Sequence, residues 1–290
     1  MADYVDGYWW SNDNLRLHYR DYPGGADGRP PILCIPGLTR NARDFAALAA
    51  RLAGAWRVIC VDLRGRGESA YSRDAMTYVP LTYVQDIERL LEELKISAYV
   101  AFGTSLGGIV TMLLASAGKE RIAGALFNDV GPVIEAAGNT RIRASVGKGG
   151  SWPTWLHAAR ALAEIQSNVY PHYELTDWLA MAKRLYRLTA AGRIVYDYDD
   201  RIAEPFQLPG SEAGIDLWPA LAPLKDVPVL VVRGALSDVL SLATLDRMMA
   251  ALPLAETVTI ERTGHTPTLA EPEATAAIDR LLARVLSAGT

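Results

Sequence analysis

The sequence contains few cysteines and few histidines, and these shortages narrow the chemistry that it can support. Among its 290 residues there are 2 cysteines and 4 histidines. No group of Cys and His residues shows the spacing of metal ligands, and we therefore expect no metal site. Cys34 and Cys60 each lie in a short apolar run. We interpret them as reduced thiols in the core of a cytoplasmic protein, and a bridge between neighbouring strands stays an alternative.

Long apolar segments and a strong charge imbalance are also missing. No apolar run approaches the roughly 18–20 residues that span a bilayer, and the acidic start Met1–Asp6 lacks the features of a secretory signal. The formal net charge is -4, which gives no electrostatic reason to expect nucleic acid as a partner. We expect a cytoplasmic protein that acts on a small molecule without membrane contact, and we keep a homodimer open.

Glycine-rich phosphate loops are absent as well. Asp62–Gly67 reads Asp-Leu-Arg-Gly-Arg-Gly, which lacks the full spacing and the Lys-Ser/Thr pair of a nucleotide loop. No dinucleotide fingerprint occurs elsewhere in the chain. We interpret this segment as a structural turn and predict that the protein uses no cofactor.

Short apolar runs alternate with helical patterns over most of the chain, which predicts an α/β fold. Gly7–Trp10 and Leu15–Arg20 flank a turn-rich tetrapeptide and predict an N-terminal antiparallel hairpin. The later runs lack polar/apolar alternation, as is typical of parallel strands covered by helices on both faces. These strands are predicted at Ile32–Ile35, Arg57–Val61, Ala98–Phe102, Ile122–Phe127, Val227–Arg233 and Thr257–Ile260.

The alternation of strands and helices stops between residues 131 and 223. This segment is rich in helix formers and in aromatic residues, including Trp152, Trp155, Tyr170, Tyr173, Trp178, Tyr186 and Trp218. The aromatic side chains either pack a small core of their own or form an apolar pocket. We predict a core domain of residues 1–130 and 224–290 and a mostly helical cap of residues 131–223, with an apolar or aromatic substrate.

The strongest local motif is Gly103-Thr104-Ser105-Leu106-Gly107, which follows a predicted strand and precedes a predicted helix. In such an elbow the serine occupies a strained turn, and the glycines two residues to either side avoid clashes with neighbouring backbone. The amide of Leu106 begins the helix and is placed to donate to a developing oxyanion. Ser105 is therefore the predicted nucleophile.

A serine hydroxyl needs a base and an acid to orient that base. His265 follows the last predicted strand, at the sheet edge where catalytic groups gather. Asp238 follows the penultimate strand and gives the chain order Ser, Asp, His. Asp129 also ends a strand and is a rival. We choose Asp238 as the acid and keep Asp129 as the alternative.

With Ile35–Leu38 and Asp62–Ser69, these motifs make the chain resemble the α/β-hydrolase superfamily over roughly residues 30–130 and 225–285. The resemblance implies a serine hydrolase with an oxyanion hole formed by the backbone amides of Leu38 and Leu106. Relatives often have His-Gly where this chain has Pro36-Gly37, so the support of the Leu38 loop is open.

Arg40 and Asn41 directly follow the Leu38 loop. They either line the mouth of the predicted site or, as we favour, serve a solvated or helix-capping role.

The predicted function is hydrolysis of a carboxylic ester, as in a carboxylesterase, through an acyl-enzyme on Ser105. Hydrolysis of a lactone, an amide or the C–C bond of a diketone would use the same residues and stays an alternative. Dehalogenase and epoxide hydrolase relatives carry Asp at the elbow, so Ser105 argues against both activities. A non-catalytic receptor on this fold is the least favoured alternative, because all three triad positions are filled.

Overall fold

The computed structural model describes residues 3–26, 28–208 and 216–288; residues 209–215, within the predicted cap, lie outside the described residues. The strands, in chain order, are β1 Val5–Trp10, β2 Arg16–Tyr22, β3 Ile32–Ile35, β4 Val58–Asp62, β5 Tyr99–Thr104, β6 Ile122–Asn128, β7 Ser151–Trp152, β8 Tyr186–Leu188, β9 Ile194–Tyr196, β10 Val229–Gly234 and β11 Ala255–Ile260. The α-helices are α1 Ala46–Leu52, α2 Pro80–Glu93, α3 Leu106–Gly118, α4 Ala136–Ser145, α5 Trp155–Gln166, α6 Leu175–Leu185, α7 Trp218–Leu221, α8 Leu242–Ala251 and α9 Pro272–Ala288.

An eight-stranded sheet organises the chain, in the order β1-β2-β4-β3-β5-β6-β10-β11. The β1–β2 hairpin is antiparallel, β2 pairs antiparallel with β4, and the remaining neighbours are parallel. The α/β-hydrolase fold and its N-terminal hairpin are therefore confirmed. In this order the carboxyl ends of β3, β5, β6, β10 and β11 meet at one edge, and this edge carries the candidate site.

Helices cover both faces of the sheet. Its central strands are therefore apolar along most of their length. Helices α1 and α9 pack on one face, where Leu48 and Ile278 share a buried cluster with Val58. Helices α2, α3 and α8 pack on the other, where Ile87 and Val110 join a second cluster. Every residue of β3, β4, β5 and β10 is buried as a result. Core burial of this kind is the dominant favourable contribution to folding.

The two cysteines lie opposite each other on paired strands. Cys34 on β3 and Cys60 on β4 are register partners, and both are free, fully buried thiols. Burial raises the pKa of the Cys34 thiol, with the neighbouring Cys60 adding to the rise. Both residues are therefore inert core residues in this structure.

The segment from residue 131 to residue 223 contains a small antiparallel sheet that the sequence patterns did not predict. Strands β7, β9 and β8 form it in that order, beside helices α5 and α6. Aromatic side chains pack together here: Trp152 stacks on Tyr186 with ring centres 5.0 Å apart, and Tyr170 stacks on Tyr173 at 4.6 Å. These side chains form a buried cluster with α5 and α6. The assignment of this segment as a separate cap domain stays a prediction.

A buried histidine joins the N-terminal hairpin to the central sheet. The Nδ1 atom of His18 lies 2.7 Å from Asp62 Oδ2, and its Nε2 atom lies 2.9 Å from Asp6 Oδ1. A neutral imidazole can donate only one of these bonds, whereas the protonated ring donates both. Burial lowers the pKa of His18, but hydrogen bonds and charge attraction from Asp62 and Asp6 outweigh it and leave the pKa raised.

We expect His18 to make stability depend on pH above its ordinary pKa of about 6.5. Because its pKa in the folded state is raised above the unfolded value of about 6.5, its contribution is fully present below that pH. The contribution is lost as the pH rises through the folded-state pKa. Urea unfolding of wild type and His18→Gln should therefore give a difference in unfolding free energy that is largest at low pH. A difference independent of pH would contradict this assignment.

Candidate active site

Ser105 occupies a sharp turn between β5 and α3, and the chain makes room for that turn with two glycines. The φ angle of Ser105 is 51°, a left-handed conformation that is strained for a residue with a side chain. A Cβ atom on Gly107 would lie 1.9 Å from the carbonyl oxygen of Ile35, and one on Gly103 would lie 2.5 Å from that of Gly107. Only glycine fits at either position. The turn thus packs directly against the end of β3.

The side chains of Ser105, His265 and Asp129 form a continuous hydrogen-bonded series. Ser105 Oγ lies 2.8 Å from His265 Nε2, and His265 Nδ1 lies 2.8 Å from Asp129 Oδ2. Because the carboxylate only accepts hydrogen bonds, Nδ1 carries the proton, and Nε2 is left to accept from the serine hydroxyl. The arrangement can therefore remove a proton from Ser105 and stabilise the charge that then forms on the imidazole.

Asp129 is held at the carboxyl end of β6 by a set of bonds that leaves it little freedom. Its backbone adopts a φ of 56°, and its side chain is fully buried. Oδ1 accepts the amide of Gly234 at 2.9 Å, and Oδ2 accepts the hydroxyl of Ser237 at 2.6 Å in addition to His265. Both neighbours belong to the end of β10 and the turn after it. The adjacent strand therefore positions the carboxylate that orients His265.

The choice of Asp238 as the partner of His265 is wrong in this structure. The turn after β10 directs Asp238 towards α4, where both of its carboxylate oxygens accept from Arg141 at 2.6 Å. The Arg141 hydrogen bonds hold the pKa of Asp238 below its usual value, against the effect of burial. Its neighbour Ser237 contacts the Asp129 carboxylate instead. Chain order alone could not separate the two aspartates, because β6 and β10 are adjacent and end at the same edge.

Both predicted oxyanion residues lie close to the serine, Leu106 next to it in sequence and Leu38 on the wall of the same cavity. Leu106 is the first residue of α3, where the amides of an α-helix have no partner within the helix. Leu38 lies in the turn after β3 and borders the same cavity as Ser105. Its carbonyl oxygen accepts from Arg66 Nε at 2.9 Å, and Arg66 is fully buried and also bonds Tyr83. Arg66, from the turn motif after β4, therefore supports the loop whose anchoring the sequence left open.

A cavity of about 100 Å³, which we call the serine cavity, opens beside Ser105. Polar and apolar side chains share its walls, and within the described part of the chain no Trp or Tyr contributes to them. They are formed by Gly37, Leu38, Thr39, Arg40, Thr104, Ser105, Arg141, Ile142, Ser145, Val146, Gln166, His265 and Thr266. The Trp and Tyr side chains of residues 131–223 are thus not part of this wall in the described ranges, and the preference for an apolar or aromatic substrate stays a prediction.

The two residues that follow the Leu38 loop have different roles. Asn41 caps the next helical turn by accepting the amide of Arg43 at 3.1 Å, as expected. Its side-chain amide also donates to the carbonyl oxygen of Arg184. Arg40, in contrast, borders the serine cavity. The preferred interpretation is therefore right for Asn41 and wrong for Arg40.

Neither a metal-ligand cluster nor a membrane-spanning helix occurs in the described ranges, 3–26, 28–208 and 216–288. Within them, no group of three or more His, Cys, Asp or Glu side chains is arranged to hold a metal ion. No helix in these ranges is both long and apolar enough to cross a bilayer.

Comparison with known proteins agrees with the fold and shows the family. The model of the "Alpha/beta hydrolase family" matches residues 32–278. A 3-hydroxybutyrate-oligomer hydrolase of Cupriavidus necator is 33% identical over 264 residues, which cover 89% of each chain. The crystal structure of an alpha/beta hydrolase from Novosphingobium aromaticivorans superposes with a TM-score of 0.93 at 55% identity, covering 98% of this chain and 99% of that one.

A more distant relative is a 2-(acetamidomethylene)succinate hydrolase of Mesorhizobium japonicum. It is 25% identical over 265 residues, which cover 90% of this chain and 89% of the relative. Because the family model spans most of the sequence, the chain belongs to the alpha/beta hydrolase family, and its relatives are hydrolases.

Proposed function

We propose that this protein hydrolyses a carboxylic ester through an acyl-enzyme on Ser105. The observation that supports this most directly is the hydrogen-bonded series from Ser105 through His265 to Asp129, with each link at 2.8 Å. Distances of this kind are within the range at which a base removes a proton from its nucleophile. This geometry supports Ser105 as the nucleophile, His265 as its base and Asp129 as the acid that orients the base.

In the first half of the reaction, Ser105 Oγ attacks the ester carbonyl carbon while His265 Nε2 takes the hydroxyl proton. Asp129 stabilises the imidazolium and keeps the ring in position. The amides of Leu38 and Leu106 donate to the negative oxygen of the tetrahedral intermediate. The intermediate then collapses, His265 returns the proton to the departing alcohol, and the acyl group stays on Ser105.

In the second half, water takes the place of the alcohol. His265 removes a proton from the water as it attacks the acyl-enzyme, and the same two amides stabilise the second tetrahedral intermediate. Its collapse transfers the proton from His265 to Ser105 Oγ and releases the carboxylic acid. The enzyme returns to its starting state, and no cofactor is consumed.

The named relatives support an acyl substrate. The Cupriavidus necator relative is named for an oligomer of 3-hydroxybutyrate, and hydroxy-acid units joined head to tail are linked by carboxylic esters. We further propose that residues 131–223 act as a cap, because Arg141, Ile142 and Gln166 of this segment border the serine cavity. A cytoplasmic location and a homodimer remain proposals, the first supported by the two free thiols.

A substrate panel tests the choice of an ester over the related bonds. p-Nitrophenyl butyrate, butyryl p-nitroanilide, a butyrolactone and a diketone are compared on wild type and on Ser105→Ala. We expect the ester to give the highest kcat/KM and every activity to depend on Ser105. Faster turnover of the amide, lactone or diketone would replace the ester assignment with that activity.

Labelling by a fluorophosphonate probe separates an enzyme from a receptor on the same fold. The probe forms a bond only with an activated serine, and we expect mass spectrometry to locate it on Ser105. A folded wild-type protein that is neither labelled nor active on the panel would support the receptor.

A further inference from the structure

The serine cavity is bordered by positive charge without matching negative charge. Two arginines, Arg40 and Arg141, form part of its wall, and no Asp or Glu of the described ranges does. In a site of low dielectric such charge attracts an anion strongly. The two arginines differ in how far the protein neutralises them, and this difference identifies the residue available to a substrate.

Arg141 already has a complete partner. Its Nε and Nη2 atoms both donate to Asp238 at 2.6 Å, in the two-pronged geometry that guanidinium and carboxylate groups favour. The pair is partly exposed, with side-chain accessibilities of 42% and 33%. Arg141 and Asp238 together therefore add little net charge to the cavity.

Arg40 is less well neutralised and more deeply placed. Its side chain is only 13% exposed, and its carboxylate partner in the described part of the chain is Asp44, reached by Nη1 at a long 3.4 Å. Asp44 is shared, since Arg184 Nε lies 3.6 Å from the same oxygen. Two guanidinium groups thus compete for one carboxylate. Arg40 also donates a hydrogen bond to the hydroxyl of Tyr170, a neutral partner. The guanidinium therefore lacks a closely bonded carboxylate of its own, and a bound anion would supply one.

The position of Arg40 brings its side chain next to the nucleophile. A Cβ atom built on Gly37 would lie 3.3 Å from Arg40 Cγ and 3.7 Å from Ser105 Cβ, so both side chains border the same glycine. Arg40 also borders a second cavity of about 20 Å³, together with Asn128 and Tyr170. The buried Oδ1 atom of Asn128 has no hydrogen-bond partner within the described residues. Arg40 is the cation that the serine cavity shares with this smaller space.

We propose that the substrate is an ester that carries a free carboxylate, and that Arg40 binds this carboxylate and sets the specificity. This inference depends on ester hydrolysis at Ser105, as proposed above, and adds the class of ester that is hydrolysed. The guanidinium of Arg40 donates hydrogen bonds to the carboxylate while the ester carbonyl lies at Ser105. This contact is the same in the bound substrate and in the transition state, so it acts mainly through KM.

Two matched pairs of esters test the proposal on the purified protein. The first is the mono-p-nitrophenyl ester of adipic acid and its primary amide, which place the charge on the acyl side. The second is the linear dimer of 3-hydroxybutyrate and its primary amide, which place it on the alcohol side. We expect wild type to prefer the charged member of at least one pair by about 10- to 100-fold in kcat/KM, as for a hydrogen bond to a charged group.

Variants of Arg40 test whether this residue causes the preference for the charged ester. Arg40→Gln should remove it by raising KM for the charged ester, while turnover of the neutral ester persists. Arg40→Lys should restore part of it, and Arg89→Gln controls for the loss of one surface charge, because Arg89 is an exposed residue of α2 paired with Glu92. An equal loss of kcat/KM for the charged and the neutral ester would assign Arg40 a structural role and overturn the proposal.

The kinetics of the wild-type enzyme provide a second test, which does not depend on how the Arg40 variants fold. Equal kcat/KM for the charged and neutral members of both pairs would refute the carboxylate proposal and leave ester hydrolysis intact. If Ser105→Ala cleaves all four esters as fast as wild type, ester hydrolysis at Ser105 fails instead. The two failures are thus distinguishable.

Discussion

Replacing Asp129 with asparagine is expected to lower kcat for ester hydrolysis by about 10⁴-fold, the loss seen when a serine–histidine site keeps its geometry but loses the carboxylate. Asp129 Oδ2 accepts from His265 Nδ1 at 2.8 Å. The amide nitrogen of asparagine can donate to Nδ1, which would leave the proton on Nε2 and prevent that atom from accepting the Ser105 hydroxyl. Steady-state kinetics on p-nitrophenyl butyrate measures the effect.

Asp238→Asn is the matched control for this prediction. Asp238 accepts both of its bonds from Arg141 and none from His265 in the described structure. We therefore expect no comparable loss of kcat from this variant, and circular dichroism should show both variants folded. The reverse result, a large loss for Asp238→Asn and a small one for Asp129→Asn, would restore the assignment made from chain order.

Replacing Ser105 with alanine is expected to lower kcat for the same ester by a factor of about 10⁴ or more. The hydroxyl is the atom that forms the acyl-enzyme, and no other serine lies within hydrogen-bond distance of His265 Nε2 in the described residues. What activity remains would come from the oxyanion amides and from binding alone. Alanine keeps the Cβ atom of serine, so we expect the substitution to leave the backbone of the elbow unchanged.

Ser116→Ala provides the same substitution at an exposed position of α3. It should leave both kcat and the melting temperature near their wild-type values. Fluorophosphonate labelling is an independent test. We expect wild type and Ser116→Ala to be labelled and Ser105→Ala to remain unlabelled. Retained turnover and retained labelling in Ser105→Ala, with contamination excluded, would refute the assignment of the nucleophile.

The parts of the fold that could be predicted are those whose signal is local. The run Ile32–Ile35 is a strand with the same bounds in the structure, because four apolar residues between Pro31 and Pro36 leave no room for a helix. The strand, turn and helix around Ser105 follow from glycines that only a tight turn requires. The hairpin follows from its alternation and turn residues. In each case, neighbouring residues carry the whole signal.

The parts that could not be predicted depend on which elements become neighbours. Strands β7, β8 and β9 have only two or three residues each, too few to show a period, and β7 pairs with β9 across a long stretch of chain. Arg40 was expected to be solvated, yet its side chain is largely buried and borders the serine cavity. The support of Leu38 by Arg66 joins two loops that are 28 residues apart in sequence.

The sequence by itself determined the α/β-hydrolase fold and the pairing of Ser105 with His265 as candidates, since each lies in a local motif at the end of a strand. Only the tertiary structure decided between Asp129 and Asp238. Both aspartates follow adjacent parallel strands and reach the same edge, and they differ in what faces them. Asp129 meets His265, Gly234 and Ser237, whereas Asp238 meets Arg141 of α4. Such a choice depends on packing between distant segments, which sequence spacing does not contain.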